Sequence, residues 1–388
     1  MKNLVLWILL FLAPLFARSQ GLQDLSCGTP ETFDIVTWNI EDFPKLGQLT
    51  VDSVTQVIAS LDMDVWALQE ISSTFGFQVV VDNLPGYEGF LANGSFKELA
   101  FIYKTGVVEV DTIYEIYTNL SREFPRPPLV MEMSYLGNDM VVINNHLKCC
   151  GNGAIDLNDP WDEERRRLDA MILLKQYIDT QFPNDKVILL GDLNDKITDL
   201  AVHNVFQPVL TDTLNYFFAD EAIAYGNSGN WSFPSFPSHI DHILITNELF
   251  TEFAEDSTQV VTIRPDDFLS GGFTQYSQII SDHRPVALKL DADQLTGLNA
   301  SHSPERSLQA FPSPFSESCT FEFSPLLEKG RIEIFDLQGK RVVSLPVEDG
   351  AEQVIWIPEH SLPSPTLYFA VLYSNETPHS SIRILKQD

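Results

Sequence analysis

Six short segments of this chain each couple an apolar run to a side chain that binds metals or handles phosphate. They run from Asp34 to Asn39, Val65 to Glu70, Val141 to His146, Val187 to Asn194, His239 to Leu244 and Ile280 to Pro285. An apolar run that stops on a carboxylate, amide or imidazole reads as a buried strand presenting that group at its end. Taken singly, each acid is better explained as a capped or ion-paired surface residue. Six together, supplying Asn39, Glu70, His146, Asp192 with Asn194, Asp241, and Asp282 with His283, point to metal-assisted chemistry on a phosphoester.

Glu70 and Asp282 are hard oxygen donors suited to Mg²⁺, Mn²⁺ or Ca²⁺. Asp192 and Asn194 stand two residues apart, so both can face one side of an extended strand end. The carboxylate can orient or deprotonate a water, and the amide can hold a phosphate oxygen or the metal. His146 and His283 each follow an apolar run and make a general-acid/base pair. Asp241 can orient one imidazole through its ring N–H, and Glu98 the other. Arg126, fixed between Pro125 and Pro127, is either a bidentate phosphate clamp or a surface residue of a turn. His239 and His242 are expected in a loop or at the surface, and Arg165, Arg166 and Arg167 on a solvated helix face. Trp231 and Phe233 can stack a base, although packing within their loop is the simpler expectation.

The remaining composition bounds the setting. The chain has 388 residues and a formal net charge of −30, so its overall field does not steer it onto polyanions. A local metal site can still cancel charge where a phosphate sits. Lys2, the apolar run from Leu4 to Phe16 and the small residues Ala17 and Ser19 make a secretory leader, with cleavage expected after Ser19. The run is short of the ~20 residues that span a bilayer, and no later segment is long and apolar enough to do so. Export permits disulfides among Cys27, Cys149, Cys150 and Cys319. A vicinal bridge, a bridge from the adjacent pair to Cys27, and free thiols all stay open. Cys-x-x-Cys spacing is absent, which argues against zinc.

Residues 30–292 read as alternating strands and helices. Helices are expected over Thr50–Leu61 and Glu163–Phe182, the second with Leu168, Met171, Ile172 and Ile178 on one face. Further strands are expected at Leu99–Tyr103, Val107–Val110 and Leu129–Met133, and a long loop over Phe217–Ser238. Residues 293–308 read as a linker. Residues 309–388 turn to short alternating strands, such as Arg331 to Asp336, and read as a small all-β module.

These residues resemble the endonuclease/exonuclease/phosphatase superfamily, typified by pancreatic deoxyribonuclease, over about residues 33–291. The resemblance implies a four-layer α/β sandwich: two packed mixed β-sheets flanked by helices, with the C-terminal module as a small all-β sandwich. It implies Asn39, Glu70 and Asp282 at the metal, and Arg126 and Asn194 on the phosphate. It implies His146, supported by Glu98, and His283, supported by Asp241, as the catalytic imidazoles, with Asp192 on the water. Phe96 stands where the secreted deoxyribonucleases have Tyr. Glu70 is not followed by the Lys of abasic-site repair enzymes, nor Asp195 by the Arg of inositol polyphosphate 5-phosphatases. His146 to Gly151, with the acidic loop to Arg165, is similar to secreted bacterial members. Residues 309–388 resemble the type A sorting domain of the type IX secretion system of Bacteroidota, through Pro312–Phe315, Ile332–Lys340 and Leu367–Phe369. That implies passage to the periplasm and across the outer membrane, with the secretion machinery as partner. The expectation is therefore a secreted or cell-surface Mg²⁺- or Mn²⁺-dependent phosphodiesterase, a nuclease acting on DNA or RNA. The rivals are a phospholipid or sphingomyelin phosphodiesterase and a non-catalytic displayed binding protein. Oligomeric state is not legible.

Overall fold

The computed structural model describes residues 21–93, 98–292, 308–312, 315–323, 330–335, 340–348, 350–358, 366–374 and 377–386. The leader expected over 1–19 and most of the expected linker lie outside them. The chain divides into two compact units, Met1–Asn299 and Ala300–Asp388.

Among its described residues the first unit carries twelve strands. They are β1 (Thr32–Phe43), β2 (Val65–Ile71), β3 (Tyr87–Leu91), β4 (Ala100–Lys104), β5 (Val108–Glu115), β6 (Leu129–Tyr135), β7 (Asn138–His146), β8 (Val187–Asp192), β9 (Tyr216–Phe218), β10 (Asp241–Thr246), β11 (Gln259–Thr262) and β12 (Val286–Asp291). They form two six-stranded mixed sheets, in the orders β11-β12-β1-β2-β4-β3 and β5-β6-β7-β8-β10-β9. Phe33, Ile35, Val65, Ala67 and Phe101 of the first sheet pack against Met131, Val142, Ile188, Leu190 and Ile243 of the second. Because successive side chains on a strand point to opposite faces, the alternate residues cover the outsides. There Val36, Trp38, Trp66 and Leu68 meet the helices α1 (Gln48–Leu61) and α2 (Thr74–Asp82). Ile143, Leu189 and Leu244 meet α3 (Glu163–Gln181). The result is the expected four-layer arrangement, and no helix among the described residues is long and apolar enough to cross a membrane.

Two expectations need correction. The buried face of α3 runs through Glu164, Arg167, Met171, Leu174 and Ile178, while Ile172 is 46% exposed. That row follows the true helical spacing of three and four residues, whereas Ile172 sits a sixth of a turn or more off it. The segment Phe217–Ser238 is not one loop, since Phe217 and Phe218 close β9 and Glu221–Ala224 forms a helical turn.

Strand register places the chemistry. β7 pairs parallel to β8 with His146 opposite Asp192, and β10 pairs antiparallel to β8 with Asp241 opposite the same Asp192. In the other sheet β1 pairs parallel to β2 with Asn39 opposite Gln69, one residue before Glu70. Between the sheets, Gln69 Nε2 donates to Asn144 Oδ1 at 2.8 Å, and Asn144 Nδ2 donates to the Leu68 and Ala100 carbonyls at 3.0 Å. These fully buried amides fix one sheet against the other two residues before His146.

The second unit contains a three-stranded sheet (Gln309–Phe311, Cys319–Glu322, Gln353–Trp356) and a four-stranded sheet (Arg341–Val347, Gly330–Phe335, Thr366–Ser374, Thr377–Lys386). Phe315, Phe321, Ile332, Ile334, Trp356 and Tyr368 form its core.

Candidate active site

The strand ends open into a cleft of about 600 Å³. Glu70, His146, Asp192, Asn194, Asp282 and His283 line it. The backbone is unusual where these groups emerge. Glu41, Asp42, Glu70 and Asn194 are all non-glycine residues at positive φ (32°, 50°, 64° and 56°). Such conformations cost free energy and cluster where a side chain must be aimed. Gly191 sits at φ 143°, and a Cβ there would lie 1.9 Å from the Asn145 carbonyl oxygen, so β7 and β8 approach closely only with glycine at that position.

Asp192 is the centre of the hydrogen-bond pattern. Its Oδ2 accepts from Asn39 Nδ2 at 2.9 Å, and its Oδ1 accepts from the Asn194 amide at 3.0 Å. His146 Nε2 and His283 Nε2 stand 3.6 and 3.8 Å from that same Oδ2. Two imidazoles thus approach one carboxylate oxygen. Asn39 Nδ2 also donates to Glu70 Oε1 at 3.0 Å, and the Asp42 amide donates to Glu70 Oε2 at 3.0 Å. Asn39 Oδ1 accepts from the Glu41 amide at 3.0 Å, so in this structure Asn39 bridges Glu70 and Asp192 through its nitrogen.

Their surroundings push the two imidazoles in opposite directions. Burial works against charge on His283, yet Asp241, whose Oδ2 accepts from Nδ1 at 2.8 Å, and then Asp192 raise it to about 10. His146 is pushed well below its ordinary value by burial, and then by the positive charges of Arg126 and His283. Its Nδ1 lies 3.7 Å from Glu98 Oε2, and among the described residues it has no hydrogen-bond partner. Arg126 reaches the site through Glu98, to whose carboxylate its Nε donates. Phe233 stacks on the His283 ring with centroids 4.5 Å apart.

Sequence reasoning missed several groups. Glu41 lines the cleft and its Oε2 accepts from the Asp282 amide at 2.9 Å. It lies two residues beyond Asn39, where β1 breaks its regular register against β2, so the strand period gave no signal for it. Arg167, expected on a solvated face, is 2% exposed. Its Nε donates to Asp195 Oδ2 at 2.9 Å, and its Nη1 donates to the Lys148 and Cys150 carbonyls at 2.7 and 2.8 Å. These three acceptors make an interior guanidinium tolerable. His239 and His242, expected in a loop or at the surface, are buried as well. Asp220 Oδ2 accepts from His239 Nε2 at 3.0 Å and from His242 Nδ1 at 2.6 Å. The Ser232 amide donates to His239 Nδ1 at 3.2 Å, which puts the His239 proton on Nε2. His242 Nε2 meets the Asp195 carbonyl at 2.9 Å, so both of its nitrogens face acceptors and the ring is an imidazolium. Every ring nitrogen of this cluster is used, which leaves no lone pair for a metal.

The cleft, by contrast, fits a hard divalent cation. Glu41, Glu70, Asp192 and Asp282 share its lining. Burial pushes Asp192 up to about 7 and Asp282 up to about 6, each against the pull of His283. Oxygen donors forced toward protonation in this way are a donor set made for Mg²⁺, Mn²⁺ or Ca²⁺.

The chain is similar to several solved structures. A crystal structure of TDP2 from D. rerio complexed with single-strand DNA product superposes with a TM-score of 0.50 at 15% identity, covering 67% of this chain and 98% of that one. The human Nocturnin catalytic domain with bound sulfate gives 0.48 at 16% identity, covering 67% and 94%. An endonuclease/exonuclease/phosphatase from Bacteroides vulgatus gives 0.47 at 16% identity, covering 67% and 98%. No curated protein sequence matches the chain. The sequence profile of the Endonuclease/Exonuclease/phosphatase family matches residues 36–283, a span that runs from β1 through His283 and holds the whole cleft lining, and the chain belongs to that family.

Proposed function

We propose that the chain is an exported, divalent-metal-dependent phosphodiesterase that cleaves nucleic acid. The observation that carries the reading is the pair of imidazoles, His283 and His146, whose Nε2 atoms stand 3.8 and 3.6 Å from Asp192 Oδ2. Hydrolysis of a phosphodiester needs a group to orient water, a cation to take developing charge and a proton for the leaving oxygen. Asp192, braced by Asn39 and the Asn194 amide, orients the water. His283, kept charged by Asp241, donates to the phosphoryl or leaving oxygen. Neutral His146 hydrogen-bonds the opposite side of the phosphate, and the Asn194 side chain holds an oxygen. Glu70 and Asp282, with Asn39 between Glu70 and Asp192, would hold Mg²⁺ or Mn²⁺, with Ca²⁺ as a third option. When bound, that cation polarises the phosphoryl oxygen and lowers the charge the attacking water meets.

Phe233 and the 75%-exposed Phe236 give the cleft an aromatic wall on which an unstacked base fits, which favours a single strand or a frayed end. One feature favours a second reading. Seven carboxylates (Glu41, Glu70, Glu164, Asp192, Asp195, Asp199, Asp282) line the cleft beside the cations Arg167 and Lys196. That balance suits a compact phosphodiester with a cationic or neutral group, such as a phospholipid or sphingomyelin head. Export rests on the N-terminal leader and on the C-terminal unit, whose two small sheets are compatible with a type IX sorting domain.

The discriminating experiment offers single-stranded oligonucleotide, supercoiled plasmid and sphingomyelin vesicles to the full chain with Mn²⁺ and with EDTA. The proposal expects Mn²⁺-dependent cleavage of the oligonucleotide ahead of the plasmid. Cleavage of the lipid alone moves the enzyme to the second reading.

A further inference from the structure

Cys149 and Cys150 lie three and four residues past His146 and line the cleft. Adjacent side chains on an extended chain point to opposite sides. Here Cys150 adopts φ 73°, and the turn brings both sulfurs to one side, with Cys150 Sγ donating toward Cys149 Sγ at 2.8 Å. The turn is built by its surroundings. Arg167 Nη1 clamps the carbonyls on either side of the pair, from Lys148 and Cys150. Gly151 follows at φ 111°, where a Cβ would lie 2.2 Å from the Glu164 carboxylate. Glu164 Oε1 in turn accepts from the Gly153 amide at 2.5 Å. Cys150 is exposed and Cys149 half-buried, so a dissolved reagent reaches the pair through the mouth of the cleft.

We propose that Cys149 and Cys150 form a two-thiol modification site on the cleft rim, closed to a vicinal disulfide by exchange with a small disulfide. In the first step Cys150, its proton lost to solvent, attacks one sulfur of the reagent R–S–S–R. A Cys150–S–S–R bond forms and RS⁻ leaves. Cys149, deprotonated in turn, attacks Cys150 Sγ and expels the second RS⁻. The two thiols give up two electrons to the reagent, and the two protons end on two molecules of RSH. Adjacent Cα atoms are about 3.8 Å apart, inside the usual disulfide lower limit of about 4.4 Å. The ring is therefore strained and returns to the dithiol with mild reductant. Its closure bears on the cleft through Arg167, which joins the turn to Asp195, next to Asn194.

The test uses the full chain, incubated with oxidised glutathione, alkylated, digested with trypsin and weighed. Cleavage after Lys148 and Arg165 leaves both thiols on one peptide, Cys149 to Arg165. The expected product is that peptide lighter by two hydrogens, free of glutathione and recovered as a dithiol after reduction. In the Cys149→Ser chain the same treatment should leave a glutathione adduct on Cys150. A wild-type peptide that keeps glutathione, becomes linked to Cys27, or stays fully alkylated would overturn the proposal.

Discussion

Asn39 Nδ2, on β1 in one sheet, donates to Asp192 Oδ2, at the end of β8 in the other, across 2.9 Å. The same nitrogen donates to Glu70 at 3.0 Å, so one amide sets the spacing between Glu70 and Asp192, the carboxylates proposed to hold the metal and to orient the water. Asn39→Ala removes both bonds. Turnover should fall about 10–100-fold, the usual cost of losing a residue that orients a metal ligand. The bond from Asn39 favours the charged form of Asp192. Its loss should therefore move the acidic limb of the pH–rate profile upward, and an unmoved limb would place Asn39 outside the mechanism.

Asp241 keeps His283 charged, and Asp241→Asn isolates that effect. The His283 value, about 10 in the intact site, should drop toward the ordinary imidazole range because its largest stabilising partner is gone. The ring resonances of His283, followed by NMR across pH, read this directly. Activity should fall about 10²–10⁴-fold, as for loss of a positioned proton donor. A His283 titration unchanged by the substitution would remove Asp241 from the account.

The buried Asp220–His242 pair makes stability depend on pH. Against the cost of burial, Asp220 raises the His242 value above its unfolded one. Its contribution is complete below an unfolded value of about 6.5 and is lost as pH rises through the folded one. Asp220 is held below the usual carboxylate range by His242 and His239 in spite of burial. Its contribution is present above about pH 4 and lost as pH falls. Denaturant unfolding should therefore show greatest support from this pair between about pH 4 and 6.5. His242→Phe, which fits beside Phe206 and Phe218, should flatten the alkaline decline.

Gly191→Ala forces a Cβ onto the Asn145 carbonyl at 1.9 Å. β7 and β8 must separate, which also parts His146 from Asp192. The expected loss exceeds about 4 kcal/mol, measured as a lowered denaturation midpoint. A variant as stable as the parent would mean the strands have slack that the structure does not show.

Much of the site was readable in the sequence because strand-end residues announce themselves: the apolar run gives the strand and its last polar residue the chemistry. His146 and Asp192 end β7 and β8 in that form, and Glu70 stands one residue before the end of β2. Asn39 instead lies inside β1, and His283, expected at the end of a strand, lies between the helix Gly272–Ile279 and β12. Arg167 and His242 do not have that form. Their partners, Asp195 and Asp220, lie 28 and 22 residues away, and only the packed fold shows that a charged residue there is satisfied inside. The face of α3 was misjudged for a related reason. The eye follows its apolar residues, while its buried row includes the charged Glu164 and Arg167.

The central claim, metal-dependent phosphodiester hydrolysis in this cleft, is tested most directly with bis(4-nitrophenyl) phosphate. Nitrophenolate release by the full chain would be followed with Mn²⁺ and with EDTA, beside Glu70→Ala and His283→Ala chains whose circular dichroism matches the parent. The account predicts release that needs Mn²⁺ and falls at least about 10²-fold in both variants. Equal release with EDTA, or from either variant, would contradict it.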